Sequence, residues 1–263
     1  MADLAYDAEQ AGWDGFFLWD HILIERSGNY EMVDPWIALA AVAMKTEKIR
    51  IGTMVTPIPR RRPWKLARET ISLDHLSNGR LILGVGLGAP LKTEYATFGE
   101  NPDPKILAKK LNEGLDILTG LWSGNLFGYK GEYYQLKKVK FLPKPVQSPR
   151  IPIWVGGGWP AKAPFRRAAK WDGVVPIHVA WPKQLTPKDV KDMMRYIESH
   201  RTSSDPFEVC VGTNTSDDPE KAAELITSFA EAGATWWMEG IYGLRGSFEE
   251  MRSLIQKGPP KIT

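Results

Sequence analysis

The sequence predicts an α/β fold of parallel βα units, a TIM (β/α)8-type barrel, and three observations lead to it. Short apolar runs bounded by glycine or proline alternate with stretches of helical spacing, as repeated βα units require. Several of those runs are apolar at consecutive positions, the mark of strands buried on both faces. The 263 residues hold no low-complexity spacer, so one domain, 1–263, of the size such barrels reach accounts for the chain.

The elements follow in order. A helix over Asp3 to Ala11 precedes the first strand, Gly15 to Trp19. Asp34 caps the next helix with Pro35 in its first turn, and a strand over Ile49 to Val55 follows. Pro63 opens a helix that closes near Asn78-Gly79, ahead of a strand over Arg80 to Val85. Leu107, Leu111, Leu115, Leu118 and Trp122, at three- and four-residue steps, form one buried stripe on the longest helix. An insertion, about 124–149, carries the alternating aromatic and polar run Tyr129 to Phe141; it reads as a small hairpin laid over the barrel. Strands over Ile151 to Val155, Gly173 to Ile177, Phe207 to Gly212 and Thr235 to Ile241 complete the series, with the loop Pro182 to Asp189 feeding a helix. These are seven strands, and a closed barrel needs eight. The missing first strand is expected to lie ahead of Met1, or to come from a partner chain.

Composition narrows the function classes. Lysine and arginine number 34 against 31 acids, a formal charge of +3, too slight to announce a nucleic-acid partner. The one dense basic run, Arg60-Arg61-Arg62, is either a solvated loop or a phosphate holder. No apolar stretch approaches the roughly 20 residues that span a bilayer, and the first residues lack a signal-peptide pattern. A cytoplasmic protein is expected, without membrane or nucleic-acid partners. The lone Cys210, in an apolar run, reads as a buried thiol. His21, His75, His178 and His200 are scattered, so no metal site is expected; no nucleophile elbow appears either, which disfavours hydrolysis.

In a parallel barrel the residues just past the strands build the active site, and four places qualify. Trp19-Asp20-His21 ends the first strand. His21 there either exchanges protons with a bound ligand or simply bonds Asp20 or a carbonyl. Thr53-Met54-Val55, in small and β-branched surroundings, either presents flat backbone to a planar ring or is an ordinary strand end. Gly84-Val85-Gly86-Leu87-Gly88 matches a dinucleotide fingerprint on paper, but no helix starts at once and no acid ends a following strand. Gly86 and Gly88 serve better as a close backbone approach to a ligand. Gly156-Gly157-Gly158-Trp159, with Lys162 and Arg166 behind, reads as free amides at a turn entering a helix, a phosphate cradle, or as a plain turn.

Taken together these stretches resemble the bacterial-luciferase-like monooxygenase superfamily of flavin- and deazaflavin-dependent oxidoreductases. The resemblance covers nearly the whole chain through Glu9 to Gly15, Trp19-Asp20-His21, Asp34-Pro35-Trp36, Arg61 to Glu69, Leu73 to Arg80, Gly84 to Gly88 and Trp171-Asp172-Gly173. It implies an eight-stranded barrel binding FMN, or in one branch the deazaflavin coenzyme, at the strand ends. Asp20, His21, Thr53, Met54, Val55, Gly86, Gly88 and Gly156 to Trp159 would bind the cofactor. His21 would be the catalytic group, with Trp19 and Trp36 walling the substrate. A non-proline cis peptide is implied at Met54-Val55. In sugar-phosphate dehydrogenases of the deazaflavin branch an acid follows the glycines, whereas this chain has Ala89-Pro90. The expected activity is a monooxygenase acting with reduced FMN and oxygen on a small organic substrate, helped by a separate flavin reductase. A deazaflavin-dependent dehydrogenase or reductase, or a non-catalytic flavin-binding protein, are the alternatives, and a homodimer is expected.

Overall fold

The computed structural model describes residues 1–25, 31–180, 182–243 and 245–260. In chain order the elements are α1 (Ala2–Gln10), β1 (Gly15–Leu18), α2 (Pro35–Lys45), β2 (Arg50–Pro57), α3 (Pro63–Leu76), β3 (Leu81–Gly86), α4 (Leu91–Glu94), α5 (Pro104–Trp122), β4 (Leu126–Lys130), β5 (Gln135–Lys140), β6 (Ile153–Trp159), α6 (Lys162–Ala168), β7 (Gly173–His178), α7 (Pro187–Glu198), β8 (Glu208–Val211), α8 (Pro219–Ala230), β9 (Trp236–Trp237) and α9 (Phe248–Gln256). They group into two compact units, Met1–Ala2 with Gly15–Ile151, and Asp3–Asp14 with Pro152–Thr263. No helix among the described residues is long and apolar enough to cross a membrane.

In the first unit β1, β2 and β3 lie side by side and parallel, with Gly15 opposite Arg50 and Ile51 opposite Leu81. Asp34 caps α2 as the sequence predicts, its carboxylate accepting from the amides of Trp36 and Ile37. The far end of α2 is closed by Arg80, which is buried and donates to the carbonyls of Ala43 and Thr46. Cationic guanidinium at a helix C-terminus satisfies carbonyls that the helix leaves unpaired. The stripe on α5 is buried, from Leu107 to Trp122. The insertion is the expected hairpin, β4 and β5 running antiparallel with Leu126 opposite Lys140. Its return leg is pinned by Asp74 of α3, a fully buried carboxylate that accepts from the amides of Val146 (2.7 Å) and Gln147 (3.2 Å) and from the Gln147 side chain (2.7 Å).

In the second unit β6, β7, β8 and β9 are parallel neighbours in that order. Together with the three strands of the first unit they make up the seven predicted from sequence. Asp172 sits just before β7 and accepts from the Ile153 amide at 2.7 Å, which ties the starts of β6 and β7. Its neighbour Gly173 has no room for a side chain, since a Cβ would stand 2.7 Å from Trp154 Cδ1. Thr186 and Asp189 form a reciprocal cap at the head of α7. The N-terminal α1 is held by α9, Arg252 Nε bonding Asp7 at 2.6 Å and Trp13 Nε1 donating to the Ile255 carbonyl. Cys210 is the buried thiol expected, its pKa pushed up to about 12 by burial.

Candidate active site past the first strands

The strands of the first unit end in two backbone irregularities. Between Thr53 and Thr56 the pairing of β2 with β3 slips, a bulge, and within it the Met54–Val55 peptide is cis, as the resemblance implies. Thr53 and Met54 are buried and Val55 is half-buried, so of the three Val55 is the one presented at the strand end. After β3 the chain turns at Gly88 (φ 81°), passes a cis Ala89–Pro90 bond and forms only the short α4. No long helix starts at these glycines, which excludes the dinucleotide fold.

Past β1, Asp20 is the hub of a buried charge cluster. Its carboxylate, 3% exposed, accepts from Trp36 Nε1 (3.2 Å), Thr56 Oγ1 (2.9 Å), Arg60 Nη2 (2.6 Å) and Arg61 Nη2 (2.8 Å). Arg60 also pairs with Glu94 of α4, which is likewise buried, at 1% exposure. Glu94 in turn meets His21, Oε1 lying 2.8 Å from Nδ1. Two cations against two carboxylates leave the cluster balanced, the condition under which buried charges persist. His21 Nε2 makes no hydrogen bond among the described residues, and the imidazole is 23% exposed. Its pKa is lowered, chiefly by burial and then by the Arg60 charge, with Asp20 opposing. An open cleft of about 340 Å³ adjoins it, with Ile22, Met32 and Val33 among its walls.

Residues 1–251 match the family model of luciferase-like monooxygenases. The chain belongs to that family. Among curated proteins this luciferase-like chain is 35% identical over 170 residues to an F420-dependent glucose-6-phosphate dehydrogenase of Amycolatopsis mediterranei, covering 63% of this chain and 49% of that protein. It is 29% identical over 204 residues to the oxygenase component of a flavin-dependent trigonelline monooxygenase of Acinetobacter baylyi, covering 76% and 52%. The chain thus spans about half the length of these relatives. Among solved structures, monooxygenase RslO1 of Streptomyces bottropensis superposes with a TM-score of 0.81 at 20% identity, over 97% of this chain and 89% of that one. The F420-dependent tetrahydromethanopterin reductase of Methanopyrus kandleri gives 0.74 at 18%, over 97% and 92%. At such identities the superpositions establish a shared α/β fold.

Within this luciferase-like chain the predicted residues separate. Asp20, His21, Trp36 and Thr53 come together with Thr56, Arg60, Arg61 and Glu94 in one bonded set. Two of them are engaged within the protein. The Asp20 carboxylate, expected to bind cofactor, is engaged by four protein partners, and Trp36, expected to wall the substrate, is 7% exposed with its indole N–H spent on Asp20. Trp19, at 49% exposure, stands edge-on to His21 at 5.9 Å. Gly86 is closed over by Val55, whose Cγ2 would stand 2.7 Å from an added Cβ. The charges of Arg60 and Arg61 are answered by Asp20 and Glu94, and both side chains line the cleft.

The glycine triplet belongs to the second unit and is not a turn. β6 continues through Gly156, Gly157 and Gly158 to Trp159, paired with Val175, Pro176, Ile177 and His178, and α6 begins only at Lys162 after a cis Trp159–Pro160 bond. The glycines admit close packing: an added Cβ would stand 2.4 Å from Pro164 at Gly157 and 2.7 Å from Val179 at Gly158. Trp159 is buried on Phe165 and covered by the Lys162 ammonium, 3.7 Å from its ring. Arg166 meets the Tyr196 hydroxyl. The backbone along Gly156–Gly158 is half-buried.

Proposed function

We propose that this protein is a deazaflavin- or flavin-dependent oxidoreductase that moves a hydride between its cofactor and a small organic substrate, with His21 as the proton acceptor. The observation that carries the reading is an imidazole held through Nδ1 by buried Glu94, with Nε2 turned to no described partner. The β2 bulge supports a planar ring as ligand. Leu18 pairs with Thr53, so His21 and Val55 leave the same ends of adjacent strands a few residues apart. Val55 and Gly88 would back the ring. A bound deazaflavin or FMN supplies the hydride acceptor. With a secondary alcohol as substrate, His21 Nε2 would take the hydroxyl proton. Ile22, Met32 and Val33 give the cleft apolar walls. Relatives named as F420-dependent dehydrogenases, at up to 35% identity, favour this over oxygen insertion. The second reading, a monooxygenase served by a separate flavin reductase, rests on the trigonelline monooxygenase component.

The test is fluorescence titration of the purified protein with F420 and with FMN, followed by turnover. Oxidised F420 would be offered with 2-propanol or glucose 6-phosphate, and reduced FMN with oxygen and trigonelline. F420 reduction that disappears in His21→Ala supports the proposal. Product carrying oxygen from O2 selects the second reading, and failure to bind either cofactor overturns both.

A further inference from the structure

We propose that Glu94 is a positioning residue that fixes His21 as the Nδ1–H tautomer, leaving the Nε2 lone pair directed at substrate. The inference deepens the function proposed above and rests on it only for the use made of that lone pair.

The two oxygens of Glu94 face different donors. Oε2 receives Arg60 Nη1 and, at 3.4 Å, the backbone amide of Ile22, while Oε1 lies 2.8 Å from His21 Nδ1. A carboxylate paired with a guanidinium only accepts. The imidazole nitrogen opposite Oε1 must therefore carry the hydrogen, and in a neutral ring the other nitrogen then carries none. Arg60 cannot turn away to relax this, because its Nη2 is bonded to both the carboxylate and the carbonyl of Asp20. Asp20, Arg60 and Glu94 thus act on the ring through one orientation, as an outer acceptor does for a metal-ligating or triad histidine.

The same geometry specifies what Glu94→Gln does. The glutamine oxygen has to take the Oε2 place, where Arg60 and the Ile22 amide both donate. Its NH2 then faces His21 Nδ1, which can only accept, so the hydrogen moves to Nε2. A near-isosteric substitution inverts the tautomer, and the group that should take a proton becomes one that already has it.

Nitrogen-15 spectra of histidine-labelled protein at mildly alkaline pH test this without cofactor or substrate, with His21→Gln used to assign the His21 signals among the four histidines. Wild type should show a pyrrole-type Nδ1 and a pyridine-type Nε2, and Glu94→Gln should show the two exchanged. A wild-type Nε2–H ring overturns the inference even if the variant fails to fold, and so does a folded Glu94→Gln with the tautomer unchanged. In F420 reduction kcat should fall about a hundredfold or more with KM little altered. If the tautomers exchange and turnover does not respond, the tautomer assignment stands and the proton-acceptor role of His21 is what fails.

Discussion

Gly84 of β3 lies so close to Thr53 of β2 that a Cβ placed on it would stand 2.1 Å from the Thr53 carbonyl oxygen and 2.9 Å from the Met54 sulfur. The tightest of these contacts is with backbone, which cannot swing aside as a side chain can. Gly84→Ala should destabilise the protein by about 3 kcal/mol or more, the upper range for overpacking. Urea denaturation followed by tryptophan fluorescence measures it; a loss under about 1 kcal/mol would mean the strands can part there.

The pH dependence of turnover follows from the direction of the His21 shift. Burial and Arg60 lower its pKa below the ordinary 6.5, Asp20 opposes them, and Glu94 accepts from its Nδ1. Because the neutral ring is the working form, kcat/KM should stay level as pH falls to 6.5 and drop only below it. The unfolded chain binds a proton at this site more readily than the folded one. The associated stability is therefore complete above 6.5 and is lost as pH falls towards the folded value. A rate that already halves above neutral pH would contradict the assignment.

Asp20→Asn removes the anion that Arg60 and Arg61 share. Leaving buried cations without their counterion should cost about 3–5 kcal/mol, far more than Trp36→Phe, which removes one donor to the same carboxylate and should cost about 1 kcal/mol. Thermal melts of the two variants side by side give the ranking, and near-equal losses would show that the cluster is not organised on Asp20.

On α2, Ile37, Ala41 and Met44 are exposed at steps of four and three, a narrow apolar stripe on a helix whose other face is core. A homodimer burying this stripe is the proposal, and the double variant Ile37→Glu, Met44→Glu should be monomeric in sedimentation where wild type is dimeric. Monomeric wild type sinks it.

Much of the architecture was legible because each signal had a local cause. Asp34-Pro35 could cap a helix, the leucine stripe of α5 could only be core, and the alternation after Leu126 could only be a hairpin. The resemblance carried the cis Met54–Val55 bond, which no propensity announces. What failed depended on partners far along the chain. Three consecutive glycines look like a turn until Pro164 and Val179 are known to need the space. Trp36 looks like an open wall until Asp20 claims its N–H. Glu94, the residue that governs His21, was missed altogether. It stands in the polar stretch Leu91–Glu94 with no spacing that links it to a histidine 73 positions earlier. An acid arriving a few residues after the Gly84 to Gly88 segment was the one available clue.

The clasp between Asp74 and the return leg of the hairpin constrains how this protein can change. Surface excursions are commonly the freely exchanged part of a barrel, trimmed or replaced without injury to the body. Here a removal that extends through Val146 and Gln147 would strip an interior carboxylate of three donors at once and leave a naked anion on α3. Any lineage or engineer that discards the hairpin must change Asp74 in the same step.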